Sequence, residues 1–164
     1  MRARGDQLGV DGLITGDMFA FLEQESDARW DAVTLLDVVE HLRLPELLSL
    51  LRGVSRVLKP GGRVVIQTAN GEGIYTGSVL WSDLTHEQAF TRVSLRQAFL
   101  ACGFVDPSFV EIEPRSFGIK GLVRRLAWRL LVFPLRVLFY LETGDRGVIL
   151  SRNLLARATK PLAL

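Results

Sequence analysis

Cysteine is almost missing from this chain of 164 residues, with Cys102 alone, and histidine occurs only at 41 and 86. One thiol makes no disulfide framework, and so few soft ligands build no Cys/His zinc cage. Cys102 closes an apolar helical stretch just before Gly103, a place for a small buried residue rather than a reactive thiol. A long uncharged apolar run is also lacking. The richest candidate, residues 119–141, is interrupted by Arg124, Arg125, Arg129 and Arg136 and carries Pro134, which excludes a membrane span. The opening Met-Arg-Ala-Arg-Gly shows no apolar core or cleavage site, so no leader is visible and a cytoplasmic location is expected. Net charge is only +2, with the arginines crowded into residues 115–157, and no nucleic-acid partner is expected.

What is present suffices for one folded domain. Hydrophobic residues make up 48% and charged residues 23%, a balance that builds a core and argues against disorder. Short apolar runs alternate with amphipathic stretches, the pattern of an α/β layered sheet. Gly12–Thr15 is a short strand candidate, followed by a helix from Met18 to Glu25. Asp31–Leu36 reads as a continuous apolar strand covered on both faces. Pro45 opens a helix whose Leu47, Leu48, Leu51, Val54 and Leu58 form one stripe, and Lys59-Pro-Gly-Gly62 ends it. Strands are expected at Arg63–Thr68, Ser108–Ile112 and Val148–Ala158, with Thr91 capping a helix that Gly103 terminates.

Three segments taken together carry a resemblance. Trp30-Asp-Ala-Val-Thr-Leu-Leu-Asp37-Val-Val-Glu40-His41-Leu42 resembles the fourth strand and following helix of class I S-adenosylmethionine (SAM)-dependent methyltransferases. Arg56-Val-Leu-Lys-Pro-Gly-Gly-Arg63 resembles their turn into the fifth strand, and Ser94–Phe104 the helix before the sixth. Asn70, Asp83-Leu-Thr-His86-Glu87, Phe90-Thr91, the long helix after Lys120 and Leu141-Glu-Thr-Gly144 resemble a bacterial subgroup associated with polysaccharide or glycan biosynthesis. The resemblance implies a Rossmann-like sheet with a helical insertion, residues 119–142, before the last strand. It also implies SAM as cofactor and methylation of a small hydroxyl acceptor, a saccharide above all.

The departure from that family lies at the front. The family's glycine-rich turn after the first strand, and the acid after the second, are absent from this sequence. Met1–Gly5 resembles the tail of the second helix, so two β–α units, about 60 residues, are expected to be missing. Residues 1–164 are then a partial domain. The strand at Asp31–Leu36 would expose an apolar edge, and the isolated product would fold poorly or be inactive.

The resemblance assigns roles residue by residue. Asp17 would accept a hydrogen bond from the adenine amino group and the Met18 amide would reach the ring, although Asp17 also reads as a helix N-cap. Leu36 and Asp37 would line the cofactor pocket, Leu36 having core packing as its alternative. Asp37, Glu40 and His41 resemble the metal-binding cluster of small-RNA 3′-end 2′-O-methyltransferases and ubiquinone-pathway O-methyltransferases, with His86 as a further ligand for a divalent cation. As plain structure, Asp37 and Glu40 read as a capping box, which leaves His41 without a role. His86 and His41 are equally candidates for metal-free general-base catalysis, imidazole being the side chain that exchanges protons near neutrality. Asn70, Tyr75, Trp81 and Asp83 fall in the loop after the fifth strand, where such sheets bind substrate, or else form an ordinary surface loop.

Arg125, Arg129 and Arg136 fall within a stripe of roughly 40° on a helical wheel. A narrow basic stripe beside a wide apolar face suits peripheral contact with anionic lipid through residues 119–141, or burial against protein as a lid or dimer contact. A non-catalytic remnant that binds a partner through this helix is the competing functional reading. A nicotinamide-dependent dehydrogenase fits poorly, because the dinucleotide turn is absent.

Overall fold

The computed structural model of the chain describes residues 15–114 and 117–162. The helix tail expected at residues 1–5, and all of the strand expected at 12–15 except Thr15, lie outside the described residues.

Four strands form one sheet. Strand β1 (Trp30–Leu36) lies parallel to β2 (Leu58–Ala69), with Val33 opposite Val64 and Leu35 opposite Ile66. Strand β3 (Val105–Glu111) pairs antiparallel with β4 (Asn153–Thr159), which pairs antiparallel with β2, giving the order β1-β2-β4-β3. Among the described residues β1 has a partner on one edge only, and most of its side chains are exposed.

Helix α1 (Met18–Gln24) begins at Asp17, whose carboxylate accepts from the Ala20 amide at 2.9 Å, as an N-cap does. Between β1 and β2 runs α2 (Leu44–Val57), with Pro45 in its first turn and the Arg43 amide donating to Glu46 Oε2 at 2.8 Å. Its stripe Leu47, Leu50, Leu51, Val54 and Val57 is fully buried, each side chain contributing about 2 kcal/mol of burial. Thr91 caps α4 (Arg92–Ala101) by accepting from the Ser94 amide, and Gly103 follows with φ +80°. Cys102 is buried against this core, and burial pushes its thiol above the ordinary range.

Two expectations need correction. Val148–Ala158 is not one strand, since β4 starts only at Asn153. Upstream of it the Asn70 side chain takes the Ile149 and Ser151 carbonyls, and Glu111 takes the Leu150 and Ser151 amides. Those side chains occupy the backbone groups that a strand ladder would use. Nor do Asp37 and Glu40 form a capping box. Asp37 turns with φ +52°, and only a single 3₁₀ turn, Val39–His41, follows it.

Helix α5 (Gly118–Thr143) is one element of 26 residues, about 39 Å long, and it runs through Pro134 unbroken. Among the described residues no helix is long and apolar enough to cross a membrane. The basic stripe is engaged by carboxylates at the end of β3 and just after it. Arg125 and Arg129 bond Glu113, at 2.5 and 2.8 Å, and Arg136 bonds Glu111, while the Arg129 side chain stays half exposed. The outward arc is apolar, with Ile119, Leu126, Leu130, Phe133 and Leu141 exposed. Only Val132 of α5 is buried, in a small cluster with Val148 and Leu150 that is separate from the main core.

Candidate functional site

The carboxyl ends of β1 and β2 bring two distant segments together. After β1 comes the turn holding Glu40 and His41. After β2 come α3 (Thr76–Leu80) and the loop to Phe90. Backbone bonds fasten the two, because the Glu40 carbonyl accepts from the Glu87 and Gln88 amides at 2.8 and 3.2 Å. Gln88 Nε2 donates to the Leu42 carbonyl at 2.7 Å.

This clamp sets His41 and His86 side by side, ring centres 4.7 Å apart and planes tilted by 58°. His86 Nδ1 lies 3.1 Å from the Leu80 carbonyl, which can only accept, so Nδ1 carries the proton. His41 Nδ1 lies 3.2 Å from the Thr85 carbonyl and 2.9 Å from Thr85 Oγ1. The Thr85 hydroxyl donates to Asp83 Oδ1 at 2.7 Å, so its oxygen accepts from His41. In the neutral form of each ring the lone pair is therefore on Nε2. The Thr85 amide and hydroxyl also hold Asp83 below the usual carboxylate range, so an anion stands by both imidazoles. Glu40, 2% exposed, accepts from Thr68 Oγ1 at 2.9 Å and lies beside the pair.

Ligand atoms of Glu40, His41 and His86 lie within 4.8 Å of one another. Asp37 stands outside this trio, its carboxylate accepting both contacts from Gln67 Nε2 at 3.2 and 3.3 Å. The other expected residues scatter. Asn70, 1% exposed, has every side-chain polar atom occupied by Ile149, Ser151 and Glu72 backbone groups. Tyr75 stacks on Trp128 of α5, centres 6.2 Å apart. Trp81 is 75% exposed and touches neither histidine ring in a stacked pair.

Thr85 and Trp128 were not among the expected residues. The Asp-Leu-Thr run carries a signal for Thr85, since an aspartate two residues ahead forms an Asx turn, here with the Thr85 amide at 2.8 Å from Asp83 Oδ1. Nothing local announces Trp128, which lies 53 positions from Tyr75 on another element.

A family profile described as a methyltransferase domain matches residues 9–108, more than half of the chain, which therefore belongs to that family. A SAM-dependent methyltransferase from Archaeoglobus fulgidus is similar over 94% of this chain and 72% of its own, at 18% identity and TM-score 0.64. One from Thermotoga maritima is similar over 84% and 58%, at 14% identity and TM-score 0.56. Phosphoethanolamine N-methyltransferase 2 of Haemonchus contortus, in complex with phosphomonomethylethanolamine and S-adenosylhomocysteine, is similar over 84% and 35%, at 17% identity and TM-score 0.51. The chain thus spans less than two thirds of the last two. Comparison with curated proteins gave no match. The fold is the Rossmann-like α/β sheet of class I methyltransferases.

That family's cofactor can be tested against the residues described. Asp17 uses one oxygen as a cap, leaving the other for an adenine amino group, and the first-turn amide of Met18 has no helical partner. Leu36 is 58% exposed at the end of β1, so it is not core packing and offers an apolar floor. The adenine end fits. No described residue supplies a glycine turn for the methionine part or an acid for the ribose.

Proposed function

We propose that this chain provides the acceptor side of a SAM-dependent O-methyltransferase acting on a small hydroxyl substrate, a saccharide above all. One observation carries the reading: two imidazoles with centres 4.7 Å apart, each with its Nδ1 engaged, lie beside an ionised Asp83 and a buried Glu40. An alkyl hydroxyl is a weak nucleophile until its proton is drawn off, which is the task such imidazoles suit. His86 takes the proton. Asp83 and Glu40 stabilise the imidazolium that forms. Bound SAM supplies an electrophilic methyl group, and Asp17, Met18 and Leu36 would hold its adenine end. Among structural neighbours, the Haemonchus enzyme acts on nitrogen. An amine attacks through a lone pair of its own and makes less use of paired bases.

The experiment is methyl transfer from radiolabelled SAM to mono- and oligosaccharides, paired with calorimetric titration of SAM. Label in an acid-stable ether on sugar oxygen is expected. Label on an amine alone would overturn the acceptor. SAM binding and transfer both absent would favour a non-catalytic module.

A second reading has its own observation, three ligand atoms within 4.8 Å with both histidines donating Nδ1–H away, as metal-ligating histidines do. In that reading Glu40, His41 and His86 hold a divalent cation that acidifies the acceptor hydroxyl. Chelation then abolishes transfer, and Zn²⁺ or Mn²⁺ restores it. Transfer that persists in chelator leaves the metal-free base.

A further inference from the structure

A cleft of about 540 Å³ opens between α3 and α5, lined by Tyr75, Ser78, Glu113, Arg124, Trp128 and Arg152 among others. It sits at the same end of the sheet as the histidines, because Tyr75 follows β2, Glu113 follows β3, and Arg152 precedes the antiparallel β4. Its chemistry is distinct from theirs. Tyr75 and Trp128 stack with their planes 21° apart, and both rings line the cleft. Arg124 and Arg152 are exposed, and neither guanidinium has an ion pair or hydrogen bond among the described residues. Uncommitted arginines occur elsewhere on the surface, but these two share a concavity with the aromatic pair.

The cleft's carboxylate does not neutralise them. Glu113 is already held by Arg125 and Arg129, which keep it below the usual carboxylate range, Arg129 foremost. With Glu113 already balanced, Arg124 and Arg152 leave the cleft's lining with a positive surplus. Arginine binds carboxylate and phosphate through paired parallel hydrogen bonds, and a sugar ring's C–H face packs on an aromatic wall.

We propose that this cleft binds an anionic glycan, seating a phosphate or carboxylate on Arg124 and Arg152 and the adjoining sugar ring on Tyr75 and Trp128. Calling that glycan the methyl acceptor rests on the function proposed above. Binding itself does not, and it is measured without SAM, so failure of methyl transfer leaves this site untouched.

The test is tryptophan fluorescence titration of the full chain at low salt with glucose 6-phosphate, glucuronate, inorganic phosphate and glucose. Saturable binding of glucose 6-phosphate or glucuronate, about tenfold tighter than glucose, is expected. Replacing both arginines (R124A/R152A) should remove that advantage, while lysine at both positions keeps part of it. Both residues are exposed, so circular dichroism should stay unchanged. Which of the two sugars binds tighter tells phosphate from carboxylate. Three results would overturn the site: no saturable signal, equal affinity for glucose, or an unchanged double-alanine variant. Inorganic phosphate binding as tightly as both sugars would mean an adventitious ion only, and would equally overturn it.

Discussion

Replacing Asn70 by alanine is expected to cost about 3 kcal/mol of stability, although the residue lies in a segment where substrate contact was anticipated. Its amide nitrogen donates to the Ile149 and Ser151 carbonyls at 2.7 and 2.8 Å, and its oxygen accepts from the Glu72 amide at 3.1 Å. Alanine strands these groups in a buried place, at about 1–3 kcal/mol for each one left unpaired, offset where water enters. Gly73→Ala should act on the same knot, because a Cβ there would sit 2.6 Å from the Ser151 carbonyl and 2.8 Å from Asn70 Nδ2. Urea unfolding with an unchanged m-value checks both. An Asn70→Ala midpoint indistinguishable from the parent would mean that the 147–152 segment is held by other contacts.

His86→Ala is expected to lower kcat for methyl transfer by about 10²–10⁴ in the active protein, the range for a lost general base. Asn at position 86 keeps a side chain near the Leu80 carbonyl and restores nothing if proton transfer is the role. Asp83→Asn should act more weakly, since Asp83 works through Thr85 and His41. It should also shift the pH profile of kcat, which mere loss of a surface charge would not do. A His86→Ala enzyme with parental kcat would remove the base from the mechanism.

Much of this fold could be read from local chemistry. Asp17 and Thr91 cap because short oxygen side chains reach the third residue of a helix, and the α2 stripe follows from helical spacing. The failures share a cause, namely side chains bonding backbone far away in sequence. Asn70 and Glu111 cannot be seen from residues 148–152, so that segment looked like strand. Asp37 left its expected cluster because Gln67, on the neighbouring strand, claims its carboxylate across a register that the sequence does not display. The histidine pair was legible only through likeness to known enzymes, since 45 positions separate its members. The cleft was not legible at all. It needs α5 laid across the sheet end, a placement fixed by Arg125, Arg129 and Arg136 meeting Glu113 and Glu111.

That attachment divides the molecule into two tiers of cooperativity. The strands and α2 share one core, whereas α5 holds on through a small apolar cluster and a few arginine–carboxylate contacts, and ends at Gly144 in a left-handed turn. Such a unit opens alone, at a fraction of the global unfolding free energy. Amide hydrogens of α5 should therefore exchange with deuterium well before those of β2. Glu113 is ionised below its ordinary range, so its hold on α5 is complete above about pH 4.5 and fades as acid protonates it. Protection factors in α5, corrected for the intrinsic pH dependence of exchange, should fall in that acid window while those of β2 hold. A ligand seated in the cleft would bridge the two tiers, since Tyr75 follows β2 and Trp128 belongs to α5, and would slow that opening.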